Sequence, residues 1–289
     1  MNQMAAPLFN RVTEDIGNIV HLEHVNMTQQ DQRLMALFWV GCLGGTRDPY
    51  LHVLDNNMWV NFGRQQVHSP TRAPQVLRGT IGLVTPELES VRERLKMIAP
   101  RLEGTKFTWK DNGDTLEAWC PWGNHVRVHS PQAKFGTMRL GFPYVERPVP
   151  RGTAEGIVRF YTELMLTPSK LVTENGIAAA HVPMGVNQFV IYRETDAPLP
   201  EYDGHHIAIY VANFSGPHAL LSERGLVFEE SDQWQYRFKD LTDPKTGKFL
   251  FTLEHEVRSL SHPMYGRPLM NRNPAQQQTA YTTGHDAFY

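Results

Sequence analysis

Residues 204–258, GHHIAIYVANFSGPHALLSERGLVFEESDQWQYRFKDLTDPKTGKFLFTLEHEVR, open with two histidines ahead of an apolar run and close on alternating carboxylates. Successive side chains of a strand point to opposite faces. His205 and His206 therefore face apart, and Glu254 and Glu256 share a face that His255 does not. Between the two ends lie a helix-like stretch and a long hairpin, which reads as strand, helix and three strands. A histidine on the first strand and a carboxylate on the last make half of a metal site.

The same order recurs upstream. From Val20, VHLEHVNM is a strand, QDQRLMALFWVGCLG a helix closed by Gly44-Gly45, and YLHVLD, MWVNFGR and QQVHS are strands, with Asp55-Asn56-Asn57 as a tight turn. A second copy follows the link PTRAPQ: strand GTIGLV, helix PELESVRERLKMIA with proline in its first turn, then strands KFTWKD, TLEAWC and HVRVHSP. The third runs from LGFPYVERPV through the helix TAEGIVRFYTELM, N-capped at Thr153, to LVTE, IAAAHV and NQFVIYRE. Four weakly similar units of about fifty to seventy residues tile the chain. One such unit cannot bury its sheet face and its helix alone, so the units should pair. The expected class is α+β: four βαβββ modules forming two cup-shaped mixed β-sheets with flanking helices. Residues 1–131 hold modules 1 and 2, and residues 132–289 hold modules 3 and 4 plus a C-terminal tail.

Composition limits the function. With 289 residues, 41% hydrophobic and 20% charged, and a formal net charge of −2, there is no basic excess to neutralise nucleic-acid phosphates. No run is long enough to span a bilayer and no signal sequence opens the chain, so a cytoplasmic location is expected. Cys42 and Cys120 give neither a disulfide framework nor a zinc pair and read as buried apolar residues. Trp59, Trp119 and Trp122 read as core or turn packing.

The pieces HVNMTQQDQRLMALFWVGCLG, IGLVTPELESVRERL with WCPWGNHVRVHSP, VRFYTELMLTP and HIAIYVANFSGPHALLSERG, in this order, resemble the βαβββ modules of the vicinal oxygen chelate superfamily, which includes glyoxalase I, fosfomycin resistance proteins and extradiol dioxygenases. The resemblance extends to about residue 258. It implies a divalent metal held by residues on the first strands of two paired modules and by a glutamate on a last strand. The first-strand positions carry His24, Thr80, Tyr144 (with Glu146 two residues on) and His206; the last strand of module 2 carries Arg127 in place of the glutamate, and that of module 4 carries Glu254. Pairing neighbours would leave His24 alone in one cup and join Tyr144 to His206 and Glu254 in the other. Pairing modules 1 and 4 across the domain boundary instead unites His24, His206 and Glu254, as in the permuted, hydroquinone-dioxygenase-like branch. The longer hairpin of module 4 leaves the choice between Glu254 and Glu256 open, with Glu254 taken first.

Two imidazoles and a carboxylate leave about three open positions on Fe(II), with Mn(II) or Zn(II) as other candidates. The resemblance thus implies a metal-dependent enzyme, foremost a non-haem Fe(II) ring-cleaving dioxygenase of an aromatic or enolic small molecule with adjacent oxygens. A metal-dependent isomerase or lyase of glyoxalase type and a metal-free small-molecule binding or resistance protein are the alternatives. His68 and Tyr265 are the candidate catalytic residues, His68 as acid or base. Tyr236, Arg258, His262 and Arg267 are the candidate substrate contacts, because an arginine here clamps a carboxylate. Parity turns His21 and His205 away from the metal. Neither nucleic acid nor membrane is an expected partner, and a homodimer is compatible with this reading.

Overall fold

The computed structural model describes residues 11–48, 56–267 and 269. The strand expected at YLHVLD (50–55) and most of the C-terminal tail lie outside them. Module 1 comprises β1 (Ile19–Asn26), α1 (Gln32–Ala36, continued by a π turn Leu37–Cys42), β2 (Thr46–Arg47), β3 (Asn57–Phe62) and β4 (Gln65–Pro70). Module 2 comprises β5 (Thr80–Val84), α2 (Leu88–Ile98), β6 (Thr108–Asp111), β7 (Thr115–Trp119) and β8 (His125–His129). Module 3 comprises β9 (Tyr144–Pro150), α3 (Ala154–Arg159, continued by a π turn Phe160–Leu164), β10 (Lys170–Glu174), β11 (Ile177–Pro183) and β12 (Phe189–Thr195). Module 4 comprises β13 (His206–Val211), α4 (Ser215–Ser222), β14 (Val227–Asp232), β15 (Gln235–Thr242) and β16 (Phe249–Ser259).

These strands form two mixed eight-stranded sheets, ordered β14-β15-β16-β13-β1-β4-β3-β2 and β10-β11-β12-β9-β5-β8-β7-β6. Within each module the first strand pairs parallel with the last, and the two first strands of a sheet meet antiparallel at its centre, β1 with β13 and β5 with β9. The first sheet thus unites modules 1 and 4, the ends of the chain, and the second unites modules 2 and 3. Gly79 allows β5 to start beside β9: its φ is +128°, and a Cβ there would lie 1.9 Å from the Glu146 carbonyl oxygen.

The alternation in the sequence sorts the side chains of the first sheet. Leu22 and Val25 of β1, Ile207 and Ile209 of β13, and Leu253 and Val257 of β16 are buried in the core beneath the helices, each worth about 1.5–3 kcal/mol by removal from water. His255 shares that layer, stacked on Phe238 (4.4 Å between ring centres) and bonded to the Tyr161 hydroxyl at 2.6 Å. Arg159 of α3 reaches Asp243 at the tip of the β15–β16 hairpin (2.7 Å), tying modules 3 and 4 together. Cys42 and Cys120 are buried free thiols, as expected. The remaining face of the first sheet carries polar groups.

A candidate metal centre on the first sheet

That polar face is built from the two central strands outward. His24 projects from β1, His206 from β13 and Glu256 from β16, and one donor atom of each lies within 4.8 Å of the others. The rings of His24 and His206 stand 5.8 Å apart. His24 is fully buried and Glu256 is 3% exposed. The parallel register sets His206 beside Glu254 and Ala208 beside Glu256, yet the donor cluster holds Glu256 and excludes Glu254. Glu254 Oε1 accepts instead from Arg237 at 2.5 Å, with His206 Nδ1 3.7 Å away. Arg237 bridges both carboxylates, bonding Glu256 through its other nitrogen.

Behind the cluster lies an ionic network that the sequence reading did not anticipate. The register between β1 and β13 shifts by one residue at Leu22/His24, a β-bulge at Glu23. It places Glu23 on the same face as His24, where Glu23 Oε2 lies 3.0 Å from His24 Nδ1. Tyr210 donates its hydroxyl to Glu23 Oε1 (2.9 Å), and Arg258 pairs with both Glu23 and Glu256. Burial raises the Glu23 carboxyl, but the Arg258 guanidinium and His24 outweigh it and hold the pKa at about 2. Burial likewise opposes ionisation of Glu256, and Arg258, His206 and His24 overcome it, keeping the pKa well below the usual carboxylate range. Burial lowers His24, only partly opposed by Glu23, so its ring is neutral near pH 7.

These contacts fix the tautomer of His24. A carboxylate only accepts, so Nδ1 carries the hydrogen and Nε2 the lone pair. That Nε2 is buried without a hydrogen-bond partner. Glu23, Glu254 and Glu256, with Glu229 also paired to Arg237, outnumber Arg237 and Arg258, so the side chains around the cluster are net negative. An orphaned neutral nitrogen, a second imidazole and a carboxylate are the donor set of a divalent transition metal.

His68 sits beside the cluster, its ring 5.6 Å from His24 and stacked on Trp59 at 3.8 Å. Asn26 Nδ2 lies 2.6 Å from His68 Nδ1, and His68 Nε2 2.9 Å from Asn57 Oδ1. Both ring nitrogens are therefore engaged, and burial, with His24 and His206 nearby, pushes its pKa well down. Trp59, read as core or turn packing from the sequence, is buried and lies against this polar face, 4.8 Å from His24.

The other expected site residues divide. Arg258 belongs to the network. Tyr236 points to the helical layer, against Phe214 and His218, because it alternates with Arg237 on β15. Arg267 is 8% exposed and its guanidinium is held by Asp48 at 2.7 Å. His262 Nδ1 accepts the Met264 amide, and burial near Arg258 lowers its pKa to about 4. Tyr265 packs on Tyr210, 4.8 Å between ring centres, at a cavity of about 350 Å³ that also reaches Glu23, Gln66 and Arg267. His21, expected to point away from the metal, lies outside the donor cluster and lines this cavity. In the second sheet, Thr80 and Tyr144 occupy the corresponding first-strand positions, and their hydroxyls contact His125 and His129. Among the described residues no cluster of metal-ligating side chains forms there. Arg237 was legible as a lone cation between Tyr236 and Phe238; Glu23 was concealed by the bulge.

Comparison with solved structures settles the architecture. Glyoxalase I from Zea mays superposes with a TM-score of 0.55 at 13% identity, over 83% of this chain and 92% of that one. The chain has the vicinal oxygen chelate fold. A dioxygenase candidate from Bacillus subtilis shares this fold with a TM-score of 0.53 at 12% identity, over 83% and 86% of the two chains. The cppA protein from Streptococcus pneumoniae shares it at 0.50 and 10% identity, over 85% and 100%. No protein-family profile and no curated protein matches the sequence. Among the described residues no helix is long and apolar enough to cross a membrane.

Proposed function

We propose that His24, His206 and Glu256 hold a divalent metal ion, and that the chain is a metal-dependent enzyme acting on a small molecule with adjacent oxygen atoms. The observation that carries this reading is the buried, unpartnered Nε2 of His24, with its tautomer fixed from behind by Glu23. A bound divalent ion would act as Lewis acid toward two neighbouring substrate oxygens and, as Fe(II), toward dioxygen.

The remaining work falls to the chain. Arg258 clamps Glu23 and Glu256, and Arg237 clamps Glu254 and Glu256, so each carboxylate has a fixed orientation. Trp59, stacked with His68 and edge-on to His24, forms an aromatic layer beside the proposed metal. Asn26 and Asn57 keep His68 oriented within this layer. Two histidines and one carboxylate favour Fe(II) and ring-cleaving dioxygenation. The shared fold with glyoxalase I keeps an isomerase or lyase as the second reading.

The test is elemental analysis of protein purified anaerobically, beside His24→Ala and Glu256→Gln. About one Fe or Mn per chain, lost in both variants, followed by oxygen uptake with catechols or hydroquinones, is the expected result. Metal-dependent turnover without oxygen consumption would select the isomerase or lyase. A wild type that takes up no metal even on reconstitution would leave a metal-free binding protein.

A further inference from the structure

A second cavity, of about 210 Å³, opens where β9, the start of β16 and the loop leading into β13 meet. It is reached from His205, not from His206. Leu199, Pro200, Phe249 and Phe251 are among its apolar lining, and Arg147 and Arg78 lie within that lining.

Arg147 occupies a position where β9 otherwise places valine: it alternates with Val145 and Val149 toward the buried side and is 2% exposed. Its Nε and Nη1 have no hydrogen-bond partner, and it makes no ion pair among the described residues. The Asp203 carboxylate offsets part of its charge but makes no hydrogen bond or ion pair with it. The Asp203 carboxylate is taken up by His205 Nδ1 (2.5 Å) and the Val76 amide (2.7 Å), Arg78 is a like charge, and Glu201 is exposed at the rim. Burial lowers the guanidinium pKa to about 10, which still leaves it charged near pH 7. A buried cation with open donors is costly unless an anion meets it. Its guanidinium also faces the Phe251 ring at 5.8 Å, which braces the group and leaves its donors free.

We propose that this cavity binds a small organic monoanion, a carboxylate with an apolar body, its carboxylate on Arg147 and its body against Leu199, Phe249 and Phe251. Arg147, with Arg78 also at the lining and its Nε likewise without a partner, offers planar donors to a carboxylate, and the apolar wall takes the body that carries it. His205 adds a second recognition element. Its Nδ1 hydrogen goes to Asp203, so Nε2 is a buried acceptor without a partner, which a ligand hydroxyl satisfies. The lining of this cavity shares no residue with the His24 cluster.

The probe is 4-fluorobenzoate, followed by ¹⁹F NMR on the full chain after chelator treatment, so that no metal competes for the carboxylate. Saturable binding is expected in wild type and in Glu256→Gln, at least tenfold weaker for Arg147→Met and for Leu199→Trp, which fills the cavity from a loop. The neutral 4-fluorobenzamide should also bind at least tenfold more weakly. Circular dichroism checks folding, and if Arg147→Met does not fold, Leu199→Trp decides. Absence of saturable binding in wild type, full binding in Leu199→Trp, or loss in Glu256→Gln with retention in Arg147→Met overturns the proposal.

Discussion

Glu23 and His24 are consecutive residues of β1, yet both side chains lie on one face, joined by a 3.0 Å contact between carboxylate and imidazole. A regular strand forbids this; the bulge at Glu23 permits it and gives His24 an orienting partner. Glu23→Gln should keep the fold and lower metal affinity by about 10–100-fold, the usual cost of removing a carboxylate behind a histidine ligand. Metal titration read by calorimetry measures this, and unchanged affinity would remove Glu23 from the site.

The two carboxylates of β16 should separate cleanly. Glu256→Gln is expected to abolish metal retention, whereas Glu254→Gln, which loses a partner of Arg237 only, should retain roughly one equivalent. Elemental analysis of the two purified variants decides, and the reverse pattern would restore Glu254 as ligand.

Acid should destabilise the protein through its buried histidines. Burial depresses His255 from 6.5 to about 3, so it is neutral in the folded state while the unfolded chain takes up a proton. Its stability contribution is complete above about pH 6.5 and is lost as pH falls toward 3, at about 1.4 kcal/mol per pH unit. His255→Phe, which keeps the stack on Phe238, should flatten the pH dependence of urea midpoints between about pH 6.5 and 4 by about one proton. A slope identical to wild type would show that His255 does not titrate with unfolding.

Ile209 is fully buried at the middle of β13, between β16 and β1. Ile209→Ala should cost about 2–5 kcal/mol by lost burial and the cavity left behind. Urea unfolding measures it, and a loss below about 1 kcal/mol would mean that the two halves of the sheet repack readily.

The four βαβββ units, their order and the helix-facing residues were legible because periods of 2 and 3.6 residues are local properties that hydrophobic side chains impress on the sequence. His24 and His206, which the structure brings together with Glu256, were singled out through their positions on first strands. The pairing of modules 1 and 4, favoured from the sequence through the resemblance because it unites the two histidines, is realised as β1 beside β13 across 180 residues or more. Two things were decided by tertiary structure alone. Glu256 joins the cluster in place of Glu254 because parity puts both on one face, and only the approach of Arg237 and the two histidines separates them. Glu23 faces the site because of a one-residue bulge, and a bulge inverts parity without altering composition. Local periodicity thus determined which faces are apolar, and the long-range register determined which polar groups meet.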